Sequence, residues 1–437
     1  MRQLVTFASP LFLSSLLQIA YNMVDMIIVG QKLGKVGLSA VSVGGDVTSF
    51  LTLVAMGFSN AGQVIISQYL GSGRKEKISR FIGTMLCFLM GCAVVVSLLC
   101  LALKKQILTL MNTPAEAFDE AMNYATICIA GLVFIYGYNI VSAVLRGLGD
   151  SVRPLLFIGI SAVLNVILDV VFVLMMGLGS GGAALATVVS QGTSFALCCI
   201  YVYRYRSRYE LTLTRGELLG IDRSMLVNLV KLGVPMAIKF AAVHLSKLFV
   251  NAYVNSYGVA VSAFAGIANK INSITNLLSN SFNTSGASMI GQNIGAGKYE
   301  RVGKVMKSIF SITVIISTVL SLLIIFFPDK IYGMFTDAPD VIAIGYKYVP
   351  IAVLFFFGSA ARSGMNALIN GSGNYKVNFA TALLDGIILR IGFAVLFGLT
   401  LGMKHYGFWL GDALAGFTPL WLGLIFYYSG AWKKRSV

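Results

Sequence analysis

Residues 68–77 have the sequence QYLGSGRKEK, and residues 292–301, which lie 224 positions later, have the sequence QNIGAGKYER. The same offset places RGLGD at 146–150 over NGSGN at 370–374. Landmarks that share one spacing indicate an internal duplication. The chain is therefore predicted to contain two copies of one unit.

The composition is that of an integral membrane protein. The chain has 437 residues, of which 57% are hydrophobic and only 11% are charged, whereas a soluble domain carries about 25% charged residues. Apolar runs of about 20 residues, the length of a spanning helix, recur along the whole chain. We predict an all-α protein with twelve transmembrane helices, near residues 7–31, 40–69, 79–103, 122–145, 153–176, 182–203, 228–253, 259–290, 303–327, 342–369, 377–400 and 407–428.

Each copy contains six of these helices, and an even number gives both copies one orientation across the bilayer. The two six-helix bundles are then related by a pseudo-twofold axis along the membrane normal, as in other parallel-repeat transporters. We place an N-terminal lobe at 1–210 (helices 1–6) and a C-terminal lobe at 211–437 (helices 7–12). A basic cytoplasmic loop near 204–231 joins them.

The net charge of +16 raises the possibility of a nucleic-acid partner, but the distribution of the charge argues against it. Basic residues gather in alternate loops, which is the positive-inside bias of membrane proteins. The sequence thus predicts a multi-pass protein of the cytoplasmic (inner) membrane with both termini in the cytoplasm and no nucleic-acid partner.

The Gly-x-Gly pairs at 71/73 and 295/297 have two interpretations. A phosphate-binding loop is conceivable, but neither pair is followed by the Gly-Lys-Ser/Thr of a Walker A motif. Turns between two helices, in which Gly supplies a positive φ, are the preferred interpretation.

Two carboxylates, Asp25 and Asp169, lie inside apolar stretches long enough to cross a bilayer. An ionisable group at that depth costs about 2.5–3.5 kcal/mol on insertion scales and normally faces a polar cavity or pathway. Asn165 and Asp169 form an i, i+4 pair on one helical face, and Thr187 lies in the next helix. This oxygen-rich set can hold Na⁺, or the same carboxylates can accept a proton. The alternative is that each Asp makes a separate hydrogen bond to a neighbouring helix.

These residues also carry a family resemblance. Over essentially its full length the chain resembles the multidrug and toxic compound extrusion (MATE) transporters of prokaryotic type. The matching motifs are Pro10 followed by Tyr21-x-x-Val24-Asp25, Leu33-Gly34, Arg146-Gly-Leu-Gly149-Asp150, Asn165-Val-Ile-Leu-Asp169 and Gly181-Gly-Ala-Ala-Leu-Ala-Thr187.

The resemblance implies two six-helix bundles around a cleft and the export of amphipathic compounds in exchange for Na⁺ or H⁺. It implies that Asp25, Asn165, Asp169 and Thr187 form a cation site, which we expect to take Na⁺ or a proton. It also implies that Tyr124 and Asn139 line the same cavity and that helix 1 bends near Pro10. Proline leaves a backbone carbonyl without its helical partner and weakens the helix there.

The C-terminal lobe departs from the family pattern. Some relatives carry an acidic residue in helix 7, whereas helix 7 here has Lys239, His244 and Lys247, and helix 10 has Arg362. Asp385 and Arg390, five residues apart on helix 11, are candidates for an ion pair. We expect the four basic residues to line a cavity, and a basic wall would suit an anionic or zwitterionic substrate. A second-lobe cation site is not expected.

The prediction is therefore a secondary active antiporter with small-molecule substrates, Na⁺ or H⁺ as coupling ion and no further cofactor. A lipid-linked oligosaccharide flippase of the same architecture is the alternative, since its pyrophosphate cargo would also suit a basic lobe. An enzyme is not expected, because no nucleophile–base pair or His-based metal motif is present. A channel is disfavoured, because an internal pseudo-twofold supplies no ring of filter repeats. The bilayer is the one expected large partner, and we expect a monomer.

Overall fold

The computed structural model describes residues 1–433. Within that range the chain divides into two compact units: an N-terminal unit, Ser9–Gly233, and a C-terminal unit that comprises Met1–Ala8 and the chain from Val234 onward. The boundary between these two compact units lies at Gly233–Val234, and the predicted lobes were divided at residue 210. The first eight residues belong to the C-terminal unit, where Leu4 and Ala8 pack in its core.

The N-terminal unit is helical throughout its spanning segments. Its helices are α1 (Arg2–Gly71), α2 (Glu76–Ala102), α3 (Lys104–Leu110), α4 (Phe118–Ala130), α5 (Leu132–Gly147), α6 (Val152–Asp169), α7 (Gly179–Arg204) and the short α8 (Arg215–Leu219). A π-helical segment, Val170–Met175, continues α6.

The C-terminal unit has the same kind of architecture. Its helices are α9 (Arg223–Asn255), which begins in the N-terminal unit, α10 (Val259–Gly295), α11 (Tyr299–Phe326), α12 (Pro328–Gly333), α13 (Pro339–Gly371), α14 (Tyr375–Leu383), α15 (Leu389–Val395), α16 (Lys404–Ala415) and α17 (Thr418–Tyr428). Two π-helical segments, Leu384–Ile388 and Leu396–Thr400, link α14 to α15 and extend α15.

Among the described residues, nine helices are long and apolar enough to cross a membrane, and the bent pair formed by α4 and α5 makes a tenth. The other two predicted spans are also present. The 70-residue α1 is broken at Gly34 (φ 59°, ψ −147°) and so contains two spans. The 37-residue α10 is long enough, but its Ser, Thr and Asn residues make it less apolar than the rest.

The duplication is visible in how helices pack. Gly147 at the end of α5 lies against Ile66 and the Gln63 carbonyl of α1, where a Cβ atom would come within 2.9 Å of Ile66 Cβ. Gly371 at the end of α13 makes the equivalent approach to Ile290 and the Ala287 carbonyl of α10. All three positions of the second contact lie 224 residues after those of the first, so the two copies share one packing arrangement.

The Gly-x-Gly pairs are turns, as predicted. Gly73 and Gly297 both have positive φ, at 73° and 69°, and each lies two residues after the end of its helix, α1 or α10. A left-handed backbone is cheap only for glycine. These pairs therefore serve chain reversal, and the phosphate-loop interpretation has no support.

The basic segment between the lobes is packed and forms part of the N-terminal unit. The Thr212 amide donates to Ser79 Oγ (3.0 Å), the Cys87 thiol donates to the Leu218 carbonyl (3.2 Å), and the Asp222 amide donates to Thr84 Oγ1 (3.0 Å). These bonds attach residues 212–222 to α2. They explain why the unit boundary falls after this segment. No local pattern in the loop predicts these contacts.

Asp222 also begins α9. The Ser224 hydroxyl and the backbone amides of Ser224 and Met225 donate to Asp222 Oδ1. These bonds, that of the Ser224 hydroxyl foremost, hold the pKa of the Asp222 carboxyl below its usual range. An Asp that accepts from the first amides of a helix is a favoured N-cap.

Substitution of Gly83 should detach this segment. A Cβ atom at Gly83 would lie 1.8 Å from the Glu217 carbonyl oxygen, which is backbone and cannot turn away, whereas a Cβ at Gly91 on the same helix would meet nothing within 4 Å. We expect Gly83→Ala to destabilise the N-terminal unit by about 1–3 kcal/mol, the usual cost of overpacking, and to speed trypsin cleavage near Arg206 and Arg215. Gly91→Ala is the control. Equal cleavage rates in the two variants would contradict the packing.

Candidate functional site

The acidic groups of the N-terminal unit are deeply buried. The exposed fractions of Asp25, Asn165 and Asp169 are 3%, 1% and 0%. Asn165 and Asp169 are one turn apart in α6, so both side chains leave the same face of the helix. Asp25 lies in the first half of α1.

Five of the six polar side-chain atoms of these residues are buried without a protein partner. Among the described residues, Asp25 Oδ1, both carboxylate oxygens of Asp169 and both polar atoms of the Asn165 amide are buried without a hydrogen bond. Buried polar atoms are satisfied in the great majority of cases, and each exception calls for an explanation such as an ion or water. The alternative in which each Asp is bonded to a neighbouring helix is therefore not what the structure shows.

Asp25 and Asp169 also share one electrostatic environment. The charge of Asp25 acts on the Asp169 carboxyl and on the hydroxyls of Tyr21 and Tyr124. The groups predicted from α1, α4 and α6 are thus close enough for their charges to interact. Two carboxylates in a poorly solvated site repel each other unless a cation or a proton reduces the charge.

An apolar layer bounds this group on one side. The apolar layer is the cluster of buried residues Ile28, Val29, Val41, Tyr124, Cys128, Val173, Ala183 and Ala184. Asp25 lies one turn before Val29, and Asp169 lies one turn before Val173. Thr187 lies one turn after Ala183 on α7, which packs against α6 and runs in the opposite direction. All three residues therefore lie on the same side of the layer, away from the turn that joins α6 to α7.

The other side is closed by a bond that the sequence analysis missed. The Gln191 side-chain amide of α7 donates to the Tyr21 hydroxyl of α1 at 3.2 Å. Tyr21 lies one turn before Asp25, and Gln191 lies one turn after Thr187. Tyr21 and Gln191 each lie four residues from a predicted ligand, and this helical spacing is the sequence signal that could have identified them. The carboxylates thus lie between the apolar layer and the Tyr21–Gln191 bond.

The remaining predicted residues of this unit behave differently from one another. Tyr124 is buried in the apolar layer, and its hydroxyl interacts electrostatically with Asp25. Both observations agree with the prediction that Tyr124 lies beside the site. Thr187 is half-buried at the level of the carboxylates. The Asn139 amide donates to the Ile135 carbonyl of its own helix at 2.8 Å, and its described contact therefore lies within α5.

Pro10 stands at the boundary of the two units in the chain, two residues after Ala8. It lies inside the continuous helix α1. The Pro10 carbonyl accepts from the Ser14 hydroxyl at 2.8 Å. The missing amide of Pro10 weakens the helix at the point where it leaves one unit for the other.

In the C-terminal unit the basic residues at membrane depth form a connected group with two carboxylates. Arg390 pairs with Asp385 at 2.9 Å and with Asp412, which confirms the predicted Asp385–Arg390 pair and adds a third member. Lys239, Lys247 and Arg362 are half-buried and interact electrostatically with this triad. His244, which was predicted with them, is exposed.

No group of three His, Cys, Asp or Glu side chains that could hold a metal occurs in the part of the chain that the structure describes. The residues predicted to hold a cation in the N-terminal unit are instead two carboxylates, an amide and a hydroxyl. Hard oxygen ligands of this kind suit an alkali or alkaline-earth cation better than a transition metal.

Comparison with known proteins identifies relatives along the whole chain. A family model described as MatE matches residues 10–171 and again residues 235–396, so one model fits both copies of the duplication. The chain is 28% identical to a probable multidrug resistance protein, YpnP, of Bacillus subtilis, and the match covers 100% of this chain and 97% of that protein.

Solved structures confirm the fold. A crystal structure of MATE in the bent conformation has a TM-score of 0.90 at 22% identity and covers 99% of this chain and 96% of its own. A transporter of the MOP superfamily from Pyrococcus furiosus, described as having a binding pocket of reversed polarity, has a TM-score of 0.89 at 21% identity and the same two coverages. The predicted all-α architecture of two six-helix bundles is the fold of these proteins.

Proposed function

Because the chain belongs to the MatE family, we propose that it is a secondary active antiporter that exports amphipathic drugs or toxic organic compounds in exchange for Na⁺ or H⁺. The chain is a multi-pass membrane transporter, since both its family and its fold are those of transporters. The multidrug-resistance name of its Bacillus subtilis relative supports the substrate class. The same relatives do not favour a lipid-linked oligosaccharide flippase.

One observation carries the proposal. Five polar atoms of Asp25, Asn165 and Asp169 are buried without a hydrogen bond in a chain whose surroundings are apolar. Leaving such groups unsatisfied costs about 1–3 kcal/mol each, and more when the group is charged. A bound cation or a proton offsets that cost. Occupancy of this site therefore changes the stability of the helix conformation that surrounds it.

Coupling follows from differential affinity. A ligand shifts a conformational equilibrium only by the difference in its affinity for the two states. Asp25, Asn165, Asp169 and Thr187 would hold Na⁺ through their oxygens, or the two carboxylates would hold a proton. Tyr124 and Tyr21 would then respond to the change in charge beside them, and α1 would bend at Pro10. Asn139 lines the same cavity in this proposal.

The protein is proposed to lie in the cytoplasmic membrane as a monomer with both termini in the cytoplasm and to bind no nucleic acid. The alternation of basic and acidic loops along the sequence supports this orientation. Its partners are then the lipid bilayer and small-molecule substrates.

Purified protein in liposomes loaded with ethidium would test the function and identify the ion. A Na⁺ gradient and a pH gradient are imposed separately, and dye movement is followed by fluorescence. We expect at least one gradient to accelerate dye movement about tenfold or more over protein-free liposomes. Acceleration by neither gradient, with protein correctly inserted, would contradict antiport.

A further inference from the structure

Asp385 and Asp412, the two carboxylates of the C-terminal unit at membrane depth, both pair with one residue. The Arg390 guanidinium donates through Nη2 to Asp385 Oδ1 at 2.9 Å, through Nη1 to Asp412 Oδ1, and through Nε to the Asp385 carbonyl at 3.2 Å. Each of its three nitrogens therefore has a partner. Arg390 itself is fully buried, and the triad is internally complete.

Three other cations lie beside this triad without such partners. Lys239, Lys247 and Arg362, which we call the basic cluster, have no carboxylate within ion-pair distance among the described residues. Lys239 donates to the Asn366 side-chain oxygen at 2.6 Å. Arg362 Nε is buried with no hydrogen bond at all.

The members of the basic cluster act on one another as well as on the triad. Arg362 repels both Lys239 and Lys247 electrostatically, and the only carboxylates that attract them in the described chain are Asp385 and Asp412. Four cations against two carboxylates leave a surplus of two positive charges at membrane depth. Charges at this depth are normally paired or face a water-filled pathway.

The position of the cluster agrees with a ligand site. Lys239 and Lys247 lie two turns apart on α9, and Asn366, the partner of Lys239, lies one turn from Arg362 on α13. Helix α9 is anchored next to the triad, because the Ser246 hydroxyl donates to the Gly386 carbonyl. All three residues are half-buried, so their charged groups are only partly hydrated.

We propose that the basic cluster of Lys239, Lys247 and Arg362 binds the anionic group, a carboxylate or a phosphate, of an amphipathic organic anion or zwitterion. Arg362 would supply its unused Nε–H together with its charge, and the two lysines would supply point charges. Arg is suited to fork-like contact with carboxylate or phosphate, and Lys acts as a mobile cation. The proposal rests on the transport function above and names a substrate class for it.

The test uses two dyes with one ring system and opposite charge. The full chain is placed in nanodiscs of phosphatidylcholine, and binding of anionic carboxyfluorescein and cationic rhodamine 123 is followed by fluorescence anisotropy. Lys239→Gln and Lys247→Gln keep most of the side-chain length and remove the charge. We expect each to weaken carboxyfluorescein binding about tenfold or more, as loss of a desolvated charge partner does.

Lys270→Gln is the matched control, because Lys270 is an exposed lysine of the same unit, and it should leave carboxyfluorescein binding unchanged. Lys247 makes no hydrogen bond to a described residue, so Lys247→Gln keeps the test valid if Lys239→Gln impairs folding. Carboxyfluorescein binding that is equal in wild type and in both variants, or that does not exceed binding to empty nanodiscs, would overturn the proposal.

Two more measurements distinguish the proposed anion site from a lipid site and from a loss of transport. Adding phosphatidylglycerol to the nanodiscs should leave carboxyfluorescein affinity unchanged. Displacement of the dye by this lipid in the wild type but not in Lys247→Gln would assign the cluster to a lipid headgroup and overturn the substrate assignment. Gradient-driven ethidium movement is measured with the same purified protein reconstituted in liposomes, so a failure of antiport is seen separately from a failure of the anion site.

Discussion

Replacing Asp25 by asparagine is expected to reduce gradient-driven efflux to the level of protein-free liposomes while the protein remains inserted and folded. The amide is nearly isosteric with the carboxylate but has no charge to bind Na⁺ and no site for a titrating proton. The loss should therefore exceed about tenfold, which corresponds to about 1.4 kcal/mol of lost coupling. Efflux of ethidium from proteoliposomes measures it.

Asp119→Asn is the control for this substitution. Asp119 is an exposed residue in the first turn of α4, so the same change there removes a charge outside the site. Normal efflux by the Asp25→Asn protein under either gradient would count directly against Asp25 as a coupling residue.

Replacing Arg390 by methionine should give the largest loss of stability among single changes in the C-terminal unit. It would leave Asp385 and Asp412 buried without the guanidinium that pairs with both. Removal of one partner from a buried ion pair costs about 3–5 kcal/mol. Thermal unfolding in detergent, followed by size-exclusion chromatography, should show a marked fall in the midpoint temperature.

Arg301→Met is the matched control, since Arg301 is exposed at the start of α11. Arg390→Lys should lie between the two, because lysine restores one charge but not three directed hydrogen bonds. An Arg390→Met protein as stable as Arg301→Met would show that the triad contributes little.

Comparison of the two copies explains why we propose a cation site in one of them only. The positions 224 residues after Asn165 and Asp169 are Leu389 and Phe393, which cannot bind a cation. The π-helical segment after Asp169 nevertheless has a counterpart at Leu396–Thr400. That backbone feature therefore belongs to the duplicated fold, whereas the carboxylates are a property of the first copy.

The sequence predicted those features that leave a local or periodic signal. The duplication, the Gly73 and Gly297 turns and the Asn165/Asp169 pair all depend on residues close together in the chain or on one fixed offset. These predictions agree with the structure because residues at helical spacings lie on the same face of a helix.

Contacts between distant residues were not predictable in this way. The Tyr21–Gln191 bond joins residues 170 positions apart. Asp412 on α16 pairs with Arg390 on α15. The attachment of residues 212–222 to α2 depends on the absence of a side chain at Gly83. Each depends on which helices are neighbours, and hydropathy along one chain does not specify that.

The most direct test of a shared acidic site is metal bridging between its two carboxylate positions. Asp25→Cys and Asp169→Cys are combined in a protein whose six native cysteines are replaced by alanine, and modification by a small methanethiosulfonate reagent is followed with and without Cd²⁺. Paired thiolates bind such metals far more tightly than one. We expect low micromolar Cd²⁺ to protect the double variant and neither single variant. Equal modification rates in all three would show that positions 25 and 169 do not share a site.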